Sequence, residues 1–345
     1  MLKAFAEYSN KQSMITSNIE RIDPTQWDEL LTNSSTASWH QSFAAYRFFS
    51  SQKPYIEPFI FAYSRNGSLK AIVSGYLTND YSGIKRRLSR RAIIMGGPLL
   101  ANDIEQYEVA SLLSTLINSL KRECIYIETR NFSDYSTWNE AFSQAHFTYA
   151  PHLNFHIDTS SPTLVESQMS KKLRRKVRTS FSEGATVITQ PTNEQVTAWY
   201  TILQHLYHTK VKTPLFPLSF FLALNNEPTA RYTLIEYEGD IVGGTLCMVL
   251  EGKTAYEWFA CGNNQISNKI HSSCVATYAS IMRVMAEGCS RYDMMGAGRP
   301  NEAYGVRDFK AQFGGSLVQH GRYLHINRPL LYNIGRMAIS IIKHM

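Results

Sequence analysis

The chain has 345 residues, 44% hydrophobic and 18% charged, enough for two domains of ordinary size and more than one buried core. Its net charge of +7 is concentrated in two runs, Lys85–Arg91 and Lys171–Arg178. Outside them the chain is slightly acidic, so a polyanionic partner is expected at those runs: nucleotide-sugar phosphates, tRNA or an anionic membrane surface. No run of about 18 apolar residues occurs and Met1 to Glu20 is polar, so neither a membrane span nor a secretory signal is expected, and a cytoplasmic location follows.

In chain order, Phe59–Tyr63 and Leu69–Leu77 flank Arg65-Asn66-Gly67 and read as a strand, a tight turn and a strand. A strand (Ala92–Met95), a helix (Glu105–Lys121) and a strand (Ile125–Thr129) follow. The same sequence of elements recurs: Tyr232–Tyr237 and Ile241–Leu250 around Glu238-Gly239-Asp240, then Thr254–Ala260, a helix His271–Glu287 and Tyr292–Met295. The chain therefore reads as a duplicated α/β unit. A break is expected near Ser160-Ser161-Pro162, giving domains 1–160 and 161–345. From Pro162, Val165, Met169, Leu173, Val177 and Phe181 recur at intervals of four, which predicts one amphipathic helix with a cationic outer face, stopped by Gly184. After Pro329 a second amphipathic segment carries Leu330, Leu331, Ile334, Ala338 and Ile341 beside Arg336, Lys343 and His344. It reads as a packed cap or as a membrane-surface helix.

Several chemistries lack their motifs: there is no G-x-x-x-x-G-K-S/T loop, no G-x-S-x-G elbow and no H-E-x-x-H. His205 and His208 lie three apart without a third ligand nearby, and the five cysteines are widely spaced with no C-x-x-C pair, so no metal site or disulfide framework is expected. The cysteines read as buried small apolar residues. What remains is Tyr304–Gly315, where Lys310 stands between Phe309 and Phe313 beyond a strand that runs out into Gly296-Ala297-Gly298. Such a lysine on a loop suits the stabilisation of a developing oxyanion, with the aromatic strand Tyr256–Gly262, including Tyr256 and Trp258, walling a cleft. A surface salt bridge from Lys310 to Asp308 or Glu302 is the competing reading.

These residues resemble the Fem-type peptidoglycan aminoacyltransferases and the wider FemAB-like acyltransferases. The resemblance extends over nearly the whole chain. It is carried by the basic helix from Lys171 to Gly184, the strands around Gly239–Leu250 and Tyr256–Gly262, and Phe309-Lys310 to Phe313-Gly314; in the first half it rests on Trp39-His40-Gln41-Ser42 and Gly96-Gly97-Pro98. It implies two tandem GNAT-like domains, each a mixed, mostly antiparallel sheet flanked by helices. The implied activity moves an aminoacyl group from charged tRNA to an amine of a cell-wall precursor peptide, with no tightly bound cofactor. Lys310 matches the family's F-K-x-x-F-G lysine near the reacting carbonyl. Arg47 lies close to the family's basic residue for precursor phosphates, Lys210 or Lys212 is a further phosphate contact where the family's arginine is not matched, and Lys172, Arg175 and Lys176 face the donor or another polyanion. Arg130-Asn131 stands where some members carry an aspartate, so no acidic base is assigned. The long helical arm of some members is absent.

Two other readings stay open. One is an acyl-CoA-dependent N-acyltransferase, although the loop Gly262–Lys269 lacks the Q/R-x-x-G-x-G/A sequence that holds a pyrophosphate at a helix N-terminus. The other is a basic RNA- or polyanion-binding module without catalysis.

Overall fold

A computed structural model describes residues 13–79, 83–263, 266 and 268–344; the polar N-terminus up to residue 12 lies outside them. The chain divides into unit 1, Met1–Pro151 with His320–Met345, and unit 2, His152–Gln319.

Unit 1 opens with β1 (Ser13–Thr16), α1 (Pro24–Asn33) and α2 (Phe43–Ser51), then a hairpin of β2 (Ile56–Arg65) and β3 (Ser68–Thr78). Asn66 and Gly67 turn that hairpin with φ of 54° and 76°, the left-handed pair that matches the twist of the flanking strands. Then come α3 (Gly83–Ser89), β4 (Ala92–Gly96), β5 (Leu99–Leu100), α4 (Gln106–Leu120), β6 (Tyr126–Asn131), α5 (Asn139–Gln144) and β7 (Thr148–Ala150). The crossover helix α4 connects the parallel strands β4 and β6 and buries Val109, Leu112, Leu113, Leu116 and Leu120. Its N-terminus is fixed by Glu108, which accepts from Glu105 N–H (2.8 Å), Tyr63 Oη (2.7 Å) and Arg65 (3.0 Å).

Unit 2 repeats the plan. Its elements are β8 (Asn154–Asp158), α6 (Pro162–Gln168), α7 (Lys171–Ser182), β9 (Thr186–Ile188), α8 (Asn193–Leu206), α9 (Leu218–Leu224), β10 (Ala230–Tyr237), β11 (Asp240–Leu250), β12 (Thr254–Gly262), α10 (Ser272–Ala286), β13 (Arg291–Gly296), α11 (Gly305–Ala311) and β14 (Ser316–Val318). The sheet order is β14, β8, β13, β12, β11, β10, β9; β12 and β13 run parallel, joined by α10, and the other ladders described are antiparallel. Both units are thus mixed, mostly antiparallel sheets flanked by helices, as expected. The five cysteines are buried.

Two expectations change. The single helix after Pro162 is two helices, because Met169 turns extended and Ser170 caps α7, its hydroxyl accepting from Leu173 N–H at 3.1 Å. The apolar stripe survives the break through Val165, Met169, Leu173 and Val177, all buried, whereas Phe181 is exposed. The domain boundary at residue 160 also moves: β8 belongs to unit 2 because it pairs with β13 and β14. The chain then returns to unit 1 as β15 (Arg322–Ile326), inserted between β6 and β7, followed by α12 (Pro329–His344). Nothing in local propensity marks such a return, since the strand is chosen by an edge formed far away in sequence. Tyr323 locks it, its ring stacked on Phe142 at 3.7 Å.

The same insertion places Arg322 2.5 Å from Glu128, which Arg130 also reaches at 3.2 Å. Burial pushes the Glu128 carboxyl up, but the two guanidinium groups outweigh it and hold it at about 2 against an ordinary 4.5. A depressed carboxylate stabilises the fold above its unfolded pKa and loses that contribution as pH falls through the folded one. Unfolding free energy is therefore expected to drop by about 3 kcal/mol between pH about 4.5 and about 2. Denaturant titrations of the native chain and Glu128→Gln check this: the variant should show a flatter pH profile over that window, and identical profiles would contradict it.

Candidate active site

In unit 2 the parallel strands β12 and β13 part. They pair at Thr254–Arg291, Ala255–Tyr292 and Tyr256–Asp293 and no further, although β12 continues to Gly262 and β13 to Gly296. At the parting point the ladder between β11 and β12 slips: Cys247 faces Glu257 and Leu246 faces Phe259, so Trp258 is a bulge. Bulges bend and twist a strand. β13 stays with β8 instead, where Asn154 faces Gly296 and Ala297 N–H donates to Leu153 O at 2.7 Å. Beyond Tyr256 and Asp293 the two strands diverge, leaving a slot between them.

The corresponding strands of unit 1 do not part. β4 and β6 pair in parallel from Ala92–Ile127 to Gly96–Asn131. The end of β4 is then sealed: Gln41 Nε2 donates to Gly97 O at 2.9 Å, and Tyr135 Oη lies 2.8 Å from Gly96 O. Gly96 and Gly97 take φ of 85° and 82°, and a Cβ there would meet Ser38 Oγ at 2.5 Å and the Tyr135 ring at 2.8 Å. The tetrapeptide Trp39–Ser42 and the Gly-Gly-Pro strand end therefore meet, and together they close unit 1 at this point.

What holds the unit 2 slot is the end of β13. Met295 has φ 57°, a left-handed conformation that costs a side-chain-bearing residue about 1–3 kcal/mol and persists only when its surroundings enforce it. Asp293 Oδ1 accepts Met295 N–H at 2.7 Å. Lys310 Nζ donates to Met294 O, to Met295 O at 3.1 Å and to Gly296 O at 2.9 Å. Three ammonium hydrogens thus meet three successive carbonyls, which leaves none for a substrate oxygen. The sequence expectation of a loop lysine facing a reacting carbonyl is corrected here: Lys310 lies on α11, is 7% exposed and points into the backbone. Neither Asp308 nor Glu302 is its partner. Burial pushes its pKa down, and the charges of Glu257 and Asp293 oppose that. Phe309 and Phe313, edge to face at 5.3 Å, pack α11 on the core; Phe313 is fully buried.

Glu257 and Asp293 carry roles that the sequence reading missed. Burial pushes the Glu257 carboxyl up, with Lys310 opposing; it accepts from Tyr292 Oη at 2.6 Å. Burial would raise Asp293 too, but His156 at 3.2 Å, Asn154 Nδ2 at 2.7 Å and Met295 N–H hold it below its ordinary value. The available signal was an acidic residue inside an otherwise apolar strand, where burying a charge demands partners.

The remaining candidates separate. Tyr256 is fully buried in the sheet and lines no surface. Trp258 is half-buried, edge-on to the stacked rings of Phe216 and Phe220, which lie 4.1 Å apart. Lys210 and Lys212 are exposed at a π-helical turn, Tyr207–Val211, and its end; Arg47 is exposed on α2 of unit 1. On α7, Lys172 and Arg175 are exposed and Lys176 half-buried. None of the helix's six cations has an ion-pair partner among the described residues, and the nearby Glu183 is taken by Lys269 at 2.9 Å. The first basic run differs: Arg86 and Arg90 bind Glu57, and Arg90 also binds Glu123 at 3.2 Å. The side chains of Lys85 and Arg87, and residues 264, 265 and 267 of the loop after β12, lie outside the description.

A tandem arrangement of two such sheets recurs among solved structures. The crystal structure of FemX aligns over 93% of this chain and 99% of its own, with a TM-score of 0.67 at 13% identity. The fold is the tandem GNAT-like fold of FemX. The C-terminal domain of a putative lysylphosphatidylglycerol synthetase from Agrobacterium fabrum (TM-score 0.57, 15% identity, 94% and 97% covered) shares this FemX-like fold. So does a tandem GNAT protein from the clavulanic acid biosynthesis pathway (0.57, 9%, 92% and 99%). No family model and no curated protein matches the sequence.

Lys310→Met leaves three carbonyls and two buried carboxylates without their cation, a loss of about 3–5 kcal/mol. Denaturant unfolding of the variant is expected to show that loss; a variant as stable as the native chain but without activity would return Lys310 to direct chemistry.

Proposed function

We propose that this chain is an acyltransferase that moves an aminoacyl group from charged tRNA to an amine of a peptidoglycan precursor peptide, with unit 2 holding the donor. The observation that carries the reading is the parted pair β12–β13. The aminoacyl group can lie in the slot between the strands, its carbonyl and amine meeting backbone groups of β12. The likeness in fold to FemX supports a FemAB-type reaction. The unpaired cations of α7 favour a polyanionic donor over a small one.

In this reading the deprotonated acceptor amine attacks the ester carbonyl carbon. The C–N bond forms, the C–O bond to the ribose breaks, and the amine's proton leaves with the departing ribose oxygen. Backbone N–H groups on the β12 edge stabilise the oxyanion. Trp258 and Phe216 flank the donor, and Lys310 acts as a positioning residue by fixing the shape of the β13 end. Holding the two reactants in register supplies much of the rate, up to roughly 7–11 kcal/mol of the barrier. Lys210 and Lys212, exposed at the π-helical turn of unit 2, are assigned to acceptor phosphates.

The test follows label from tRNA charged with mixed radioactive amino acids into a precursor peptide, with labelled acetyl-CoA as a parallel donor. Transfer from tRNA is expected, with a steep salt dependence whose slope falls by about one for each phosphate-contacting cation neutralised among Lys172, Arg175 and Lys176. Transfer from acetyl-CoA alone would replace the proposal with a thioester-dependent reaction. Binding of RNA without transfer from either donor would make the chain a binding module.

A further inference from the structure

Helix α12 turns an apolar arc away from the unit that carries it. Its first turn is tethered: Arg328 donates to Arg122 O at 2.8 Å, and the Tyr332 ring meets Tyr126 edge-on at 5.4 Å. With 100° per residue, positions 330, 334 and 337 share an arc opposite Tyr332. Leu330, Ile334 and Met337 there are 81%, 58% and 60% exposed, and the sequence continues the spacing at Ile341. Three large apolar side chains in one row on a 16-residue helix are costly to leave in water, and a helix of that length is marginal without a packed face.

Charge decides what covers the arc. From Asn327 to His344 the chain has no Asp or Glu, and it carries Arg328, Arg336 and Lys343. Arg336 lies over the Tyr332 ring at 5.9 Å, on the far side from the apolar arc. A helix is about 10–12 Å across, close to the Debye length of roughly 8–10 Å, so those cations still sense a charged plane beneath the arc. A second protein surface would need an apolar groove; a bilayer interface accepts a single apolar arc and rewards the absence of acids. No described helix is long and apolar enough to span a bilayer.

We propose that α12 is an interfacial helix that lies in the plane of an anionic lipid surface, with Leu330, Ile334 and Met337 in the headgroup–acyl boundary. This is independent of the transfer reaction. The test is co-sedimentation of the full chain with phosphatidylglycerol-containing vesicles and with pure phosphatidylcholine vesicles, for the native chain and Ile334→Glu, each checked for unchanged thermal melting. Binding to anionic vesicles is expected, stronger than to neutral ones, weakened by salt and reduced about tenfold or more in Ile334→Glu. Equal binding by the variant would overturn the proposal. So would binding that survives Ile334→Glu but is lost when the α7 cations are neutralised, or a dimer broken by Ile334→Glu in a chain that ignores vesicles.

Discussion

A lysine ammonium bonded to three consecutive carbonyls at the end of β13 is the constraint on which the unit 2 site depends. It does two jobs with one charge. It holds Met295 in a left-handed turn that its side chain disfavours, and it compensates Glu257 and Asp293, which sit on neighbouring strands inside the core. Each of these groups would be expensive to bury alone. Together they form a network whose geometric result is a strand end aimed at β8 rather than at β12. The bulge at Trp258 supplies the complementary bend.

The duplication makes the point by contrast. Both units place a hairpin, a strand, a crossover helix and a parallel strand in the same order, yet the parallel pair of unit 1 is zipped to its end and capped by Gln41 and Tyr135. An internal control of this kind separates what the plan requires from what the site requires. The plan is satisfied by a closed pair, so the open pair of unit 2, maintained by strained backbone and buried charge, is the feature that points to function.

Much of this was legible in the sequence because local signals were strong. Asn66-Gly67 and Glu238-Gly239 mark their hairpins, the apolar periodicity of the crossover helices is clear, and the repeat of the pattern fixes a duplicated α/β plan. Lys310 was legible as a singular residue, but neither its burial nor its partner was: only the fold shows that its ammonium meets carbonyls rather than a substrate or a surface carboxylate. The helix break at Ser170 was hidden because the four-residue apolar spacing continues through it. The return of β15 to unit 1 was hidden for a different reason, since strand insertion depends on an edge nearly two hundred residues away in sequence. Glu257 and Asp293 stand in plain view within apolar strands, but their role follows only from burial, which makes a charge there demand partners.

We place the donor along β12 of unit 2 beyond Tyr256. Amide hydrogen exchange resolved to single strands, measured with and without an aminoacyl-tRNA or acyl-CoA donor, tests that placement. Protection gained at residues 258–262 on donor binding, with β4 and β6 of unit 1 unchanged, is the predicted result. Exchange in 258–262 that ignores a bound donor, or protection that falls on unit 1 instead, would contradict it.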